Sequence, residues 1–208
     1  MLRRFLVRSL VAFAAAALFS TAPAGATAGT VLVLGDSISA GYGVPAGSGW
    51  VALLSKALHA DAMTVVNASI SGETTEGGKA RLPALLSSHR PSVVVLELGG
   101  NDGLRGFPLA VTRANLERMI KDSQGAGASV LLLGMRIPPN YGPRYTEGFH
   151  ALYGDLAEAH GTALVPFLLE GIAGIPGNMQ DDGIHPVAAV QPAILERVFP
   201  ELRILLRP

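Results

Sequence analysis

The chain has no cysteine. A thiol nucleophile, a thiolate-ligated zinc site, a disulfide framework and an acylated lipoprotein cysteine are all excluded. It also lacks net charge, with 16 basic side chains against 16 acidic ones. No basic excess or basic run offers a footprint for nucleic acid. Histidine is scarce, at positions 59, 89, 150, 160 and 185 only, with no HExxH pattern and no close pair. No resident metal is expected from so sparse a ligand set. Internal repeats and low-complexity linkers are missing too. Aromatic residues make up 6% of the chain and charged residues 15%, whereas apolar residues reach 49%. That is ample material for a packed core and argues against disorder. A length of 208 residues suits one domain with a removable leader.

The N-terminus differs in kind from the rest. "MLRRFLVRSLVAFAAAALFSTAPAGATAG" sets Arg3, Arg4 and Arg8 ahead of an apolar stretch from Leu10 to Phe19, and small residues follow, including Ala24-Gly25-Ala26. This is the order of a secretory signal. The uninterrupted apolar stretch falls short of the ~20 residues that span a bilayer. Residues 1–26 are therefore expected to be a cleaved signal peptide and residues 27–208 one mature domain, with Ala22-Pro23-Ala24 as a second cut position. Removing the leader takes three arginines and no acid, so the mature chain is slightly acidic. The expectation is a periplasmic or secreted protein without stable membrane insertion.

Beyond the leader, strands and helices alternate. "TVLVLG", "MTVVNAS", "SVVVLELGG", "SVLLLGMRI" and "ALVPF" read as strands. "GWVALLSKALHA" carries Trp50, Leu53, Leu54, Ala57 and Leu58 at helical spacing. Further helices are expected over Thr75–His89, in "VTRANLERMIKDSQGAG", from Arg144 to His160, and from Pro186 onward. The strand runs are continuously aliphatic, which implies burial on both faces and a parallel sheet between helix layers. The expected class is α/β: a single doubly wound, flavodoxin-like three-layer α/β/α sandwich with about five parallel strands.

In such a sheet, sites form beyond the carboxyl ends of the strands. Ser37 follows the first strand, Ser71 and Gly72 the second, and Gly100-Asn101-Asp102 the third. "QDDGIHP", between the fifth strand and the last helix, can reach the same edge. Acyl transfer by serine needs a hydroxyl, a base, donors for the developing oxyanion, and usually an acid to orient the base. Ser37 is the candidate nucleophile. Taken alone it also reads as a helix N-cap or a phosphate-binding turn, although no Walker lysine or GxGxxG follows. His185, flanked by turn-forming residues, is the candidate base. Asp182 lies three residues earlier, with Gly183 between, so a turn can bring its carboxylate to Nδ1 and leave Nε2 for the serine. Asp181 is the rival acid, and turn-shaping is the alternative role for Asp182. The candidate oxyanion donors are the Ser37 N–H, the Gly72 N–H and the Asn101 side-chain amide, with glycine at 72 leaving the backbone open to substrate. Asp36 and Asp102 read as a turn-shaping and a loop-bracing acceptor. His59, His89 and His160 read as surface or capping groups at helix ends.

Gly35-Asp36-Ser37, Gly72, Gly99-Gly100-Asn101-Asp102 and Asp182-Gly183-Ile184-His185 resemble the four blocks of the SGNH, or GDSL, hydrolases. The resemblance covers essentially the whole mature chain. "GGNDGLRGFP", "NYGPRY" and "MQDDGIHP" look like the bacterial branch of periplasmic acyl-CoA thioesterase I, also described as arylesterase and lysophospholipase. The resemblance implies Ser37 as nucleophile, Gly72 and Asn101 as oxyanion donors beside the Ser37 N–H, and Asp182 and His185 completing a triad. It implies no cofactor, and a small-molecule ester or thioester substrate with an acyl chain: an aryl ester, an acyl-CoA-type thioester or a lysophospholipid. A monomer is expected. The resemblance further implies a mobile segment, Gly103 to Pro108, whose Leu104 and Phe107 close over the acyl chain, with Ile137 and Pro138 as a second wall. The alternative is that Leu104, Phe107 and Ile137 are ordinary core. No G-x-S-x-G elbow is present. Two other readings stay open. A carbohydrate acetyl-esterase on the same fold would want more exposed aromatics. A non-catalytic anion- or nucleotide-binding protein has no need of Asp182 and His185 together.

Overall fold

A computed structural model describes residues 29–207, so the expected signal peptide, residues 1–26, lies outside the described residues. The strands are β1 (Thr30–Gly35), β2 (Thr64–Asn67), β3 (Val93–Glu97), β4 (Ser129–Leu133) and β5 (Ala163–Val165). The helices are α1 (Ser37–Ala40), α2 (Trp50–Leu58), α3 (Thr75–His89), α4 (Gly100–Leu104), α5 (Leu109–Gly125), α6 (Pro143–His160) and α7 (Gln191–Leu205). All neighbouring strands pair in parallel, in the order β2-β1-β3-β4-β5. This is the flavodoxin-like doubly wound order, whose switch point lies between β1 and β3.

The continuous aliphatic runs follow from this architecture. Successive side chains of a strand point to opposite faces, and both faces are covered here. Leu32 and Leu34 of β1 join one core layer with Val94, Leu96 and Leu132, while Val31 and Val33 join the other with Val93, Val95 and Leu131. The first layer is closed by α3, α5 and α6 through residues such as Leu82, Met119 and Phe149. The second is closed by α2 and α7 through Trp50, Leu54, Ile194 and Val198.

Several boundaries differ from the sequence expectation. β2 is an edge strand, and none of its residues is fully buried. The buried stripe of α2 is Trp50, Val51, Leu54 and Leu58, with Ala57 exposed, because the helix turns partly toward α7. β4 stops at Leu133 instead of running on to Ile137. There the chain presses on the segment after β5, where a Cβ on Gly134 would sit 2.2 Å from the Pro166 carbonyl oxygen. The last helix starts at Gln191, not at Pro186, which forms an antiparallel bridge with Met179. The Gln191 side-chain oxygen accepts from the Trp50 N–H at 3.0 Å, so the start of α7 is tied to the start of α2.

Two glycines test the packing argument in opposite directions. Gly134→Ala is expected to lose about 1–3 kcal/mol through overpacking. Gly154→Ala, at an exposed α6 position where the added methyl meets no described atom within 4 Å beyond its chain neighbours and its own helix backbone, is expected to gain about 0.5–1 kcal/mol. Urea unfolding of both variants checks the signs.

Candidate active site

β1 delivers buried Leu34 and Gly35 into a turn that Asp36 caps, its Oδ1 accepting from the Ile38 N–H at 3.1 Å. Ser37 opens α1, so its own N–H lacks an intrahelical acceptor. Neither this N–H nor that of Gly72 donates to a group of the described residues. Gly72 has φ +80°, and a Cβ there would meet nothing within 4 Å. The glycine is therefore demanded by backbone conformation, in addition to the open approach for substrate expected from the sequence.

The neighbouring strand β3 delivers Asn101 in the first turn of α4. Its Nδ2 donates to the Glu73 carbonyl at 2.9 Å and to Asp36 Oδ2 at 3.2 Å. Asp102 holds α4 against α3 by accepting from the Thr75 N–H at 2.9 Å and from the Thr75 hydroxyl, to which the Asn115 amide also donates. The helical turn of α4 replaces part of the loop expected over Gly103 to Pro108.

The third component is the loop before α7. The Met179–Pro186 bridge and the hydrogen bond from the Gln180 N–H to the His185 carbonyl, 2.7 Å, fold it back on itself. Gly183, at φ +68°, makes the reversal. Asp182 Oδ1 accepts from the Ile184 and His185 N–H groups at 2.9 and 3.0 Å. Its Oδ2 lies 2.6 Å from His185 Nδ1, and His185 Nε2 lies 2.7 Å from Ser37 Oγ. Asp181 makes no such contact. The hydrogen bonds from His185, backbone first, hold the Asp182 carboxyl down at about 2. An acceptor fixed at Nδ1 directs Nε2 toward the serine, which is the arrangement that lets a histidine take a hydroxyl proton.

A cavity of about 730 Å³ opens beside Ser37 and His185. Leu104, Met135, Ile137, Phe167, Leu169 and Met179 give it an apolar wall. Leu104 and Ile137 thus reach the cavity, and Ile137 also belongs to the core layer beneath it. Phe107 does not line the cavity: its side chain is exposed, while its carbonyl accepts from the Tyr145 hydroxyl at 2.6 Å. The Tyr141 hydroxyl grips the Leu104 carbonyl at the same distance.

Three contributors to the site went unread in the sequence. Tyr42 packs its ring on His185, with centroids 4.6 Å apart. Gln180 donates to the Tyr42 carbonyl at 2.9 Å, joining the histidine loop to the serine turn. Glu97 is entirely buried under that turn. Its signal was a carboxylate inside an otherwise aliphatic strand, a placement that burial makes costly and therefore informative.

Fold and site together define an α/β protein with a serine, a histidine and an aspartate linked at the carboxyl edge of a parallel sheet. Residues 33–191 match the GDSL-like Lipase/Acylhydrolase family, and the chain belongs to that family. It is 56% identical over 183 residues to Esterase TesA of Pseudomonas aeruginosa, covering 87% of this chain and 91% of the relative. It is 48% identical over 178 residues to Thioesterase 1/protease 1/lysophospholipase L1 of Escherichia coli K12, covering 86% and 85%. The crystal structure of the psychrotrophic esterase EstA from Pseudoalteromonas sp., inhibited by monoethylphosphonate, superposes with a TM-score of 0.81 at 42% identity, covering 86% of this chain and 98% of that one.

The Asp182 geometry has a pH signature. A carboxyl held at about 2 contributes stability that is complete above the ordinary carboxylate range and is lost as pH falls through about 2. Carbon-detected NMR titration is expected to find Asp182 ionised at pH 3 in the parent. In His185→Ala its titration should move upward, because the ring donor is gone while the backbone donors remain. An unmoved titration would show that the ring does not bond to Asp182.

Proposed function

We propose that this protein is a serine hydrolase that cleaves carboxylic esters and thioesters of acyl chains through an acyl-enzyme on Ser37. The observation that carries the proposal is the hydrogen-bonded series Asp182–His185–Ser37 at the mouth of an apolar cavity. Ser37 Oγ attacks the carbonyl carbon as His185 Nε2 takes its proton, and Asp182 stabilises the imidazolium that forms. The carbonyl oxygen becomes an oxyanion held by the Ser37 N–H, the Gly72 N–H and Asn101 Nδ2. Both Asn101 amide hydrogens are engaged in the free protein, so the longer bond, to Asp36, is the one shared with the oxyanion. His185 returns the proton to the leaving alcohol or thiol. Water then repeats the sequence and releases the acid.

The cavity wall supports an acyl chain as the group retained on the serine. It supplies aliphatic, methionine and phenylalanine side chains in place of the stacked aromatics and polar pairs that a sugar would want. The relatives named as esterase, arylesterase, thioesterase and lysophospholipase support aryl esters, acyl-CoA-type thioesters and lysophospholipids as substrate classes. Among the described residues no group of acidic, histidine or cysteine side chains is placed to hold a metal ion, and the proposed steps use none. Tyr141 and Tyr145 tie Leu104 and Phe107 by their carbonyls, so closure of the 103–108 segment over a chain would have to carry or break those bonds. We further propose residues 1–26 as the leader of an exported, monomeric enzyme acting in the periplasm or outside the cell.

Hydrolysis of p-nitrophenyl esters from acetate to palmitate, by residues 27–208 and its Ser37→Ala form, tests the reading. The parent should turn over with a chain-length optimum set by the cavity, and Ser37→Ala should show no activity above background. Equal rates in the two would overturn the assignment. Asn101→Ala should lose about 10²–10³ in kcat, the usual cost of one oxyanion donor. Asp182→Asn should lose up to about 10⁴, whereas Asp181→Asn stays near the parent.

A further inference from the structure

The mechanism leaves the carboxyl of Glu97 without a role. It closes β3 with no solvent exposure, and among the described residues no lysine or arginine is bonded to it. Its Oε2 accepts from the Asp36 N–H at 3.1 Å, the Ser39 N–H at 3.3 Å and the Ser39 hydroxyl at 2.6 Å. Its Oε1 has no donor among the described residues. The Asp36 carboxyl, itself 3% exposed, lies beside that of Glu97: Glu97 Oε2 is bonded to the Asp36 N–H, and the Asp36 charge acts on Glu97. Two buried carboxyls this close, with no cation bonded to Glu97 among the described residues, cannot both ionise without a large cost, so one of them keeps a proton.

The surrounding backbone is shaped to admit the pair. A Cβ on Gly35 would sit 2.5 Å from Glu97 Oε2, and one on Gly100 would sit 3.2 Å from Asp36 Oδ2. These glycines belong to the two strand-end blocks that meet at the switch point. From the pair, contacts run to both halves of the site. Glu97 fixes residues 36 and 39, which flank Ser37, and Asp36 accepts from the Asn101 amide.

We propose that Glu97 is a positioning residue that stays protonated beside the Asp36 carboxylate in the active enzyme, and that its bonds to residues 36 and 39 set both the Ser37 turn and, through Asp36, the aim of the Asn101 amide. The proposal rests on the reading of Ser37 and Asn101 given above. A doubly ionised pair would place two buried negative charges behind the point where the oxyanion forms, and would weaken it. One retained proton leaves Asp36 able to accept from Asn101 while limiting the pair to a single charge. Burial raises both carboxyls, and the Asp36 charge raises Glu97 further. The other titratable groups in reach are His185, which acts on Asp36 from the loop before α7, and Tyr153 of α6 and Asp102 of α4, behind β3.

Infrared difference spectroscopy of the parent against Glu97→Gln at neutral pH tests the proton itself. A protonated-carboxyl C=O band is expected in the parent and absent in the variant. Carboxylate bands alone would overturn the proposal. Kinetics test the positioning role. Glutamine carries no charge and keeps an oxygen for the three bonds now made to Oε2, so Glu97→Gln should keep kcat within about tenfold of the parent. Glu97→Leu should lose about 10²–10³ in kcat with KM little changed. As pH rises, the parent should lose activity when Glu97 gives up its proton, and Glu97→Gln should lack that limb. A Gln variant as impaired as Leu, or a Leu variant as active as the parent, would contradict the proposal. If Glu97→Leu does not fold, the infrared band and the Gln pH profile decide. If the parent hydrolyses no ester, the serine reading fails, and the band still reports on Glu97.

Discussion

The contact on which the rest of the molecule depends is the 2.7 Å hydrogen bond between His185 Nε2 and Ser37 Oγ, made across 148 positions of sequence. Nothing local brings those atoms together. The parallel sheet does, because every strand in it points its carboxyl end to the same edge. β1 and β3 are adjacent at the switch point, so the serine turn and the asparagine helix start side by side. The histidine arrives on a loop that is itself cross-braced, by the Met179–Pro186 bridge within and by Gln180 to the serine segment. Each half of the contact is therefore held by backbone geometry before any side chain meets another, which is what preorganisation requires.

Polar groups buried beneath the site do the work that apolar packing does elsewhere. Asp36, Glu97, Asp102 and Thr75 are all buried, and together they connect the ends of β1 and β3 to the starts of α1, α3 and α4. A half-satisfied network in such a place would cost more than an apolar core. Glu97 Oε1 is the one atom of this group without a donor among the described residues. The acid pair sits next to the chemistry, where pKa values displaced by burial are commonly found.

Much of this was legible in the sequence, for identifiable reasons. Aliphatic runs such as "VLVLG" and "VVVLE" announce strands buried on both faces, and strand ends announce where polar residues gather. Short-range spacing was legible too: Asp182-Gly183-Ile184-His185 has the length of one turn. Contacts set by tertiary placement were not. Pro186 looked like a helix start until the bridge to Met179 claimed it. β4 gave no hint that Gly134 would meet the Pro166 carbonyl. Phe107 looked like an acyl contact from its neighbours in sequence, but only Leu104 of that pair faces the cavity. Glu97 was visible as an anomaly, yet its partner Asp36 is 61 residues away and no periodicity points to it.

The proposed mechanism makes the Ser37 hydroxyl an activated nucleophile. The most direct test is reaction of residues 27–208 with a fluorophosphonate, followed by intact-mass measurement and peptide mapping, alongside the His185→Ala form. One adduct per chain is expected, on Ser37, and it should be lost in His185→Ala. An unmodified chain, or an adduct on another residue, would contradict that mechanism.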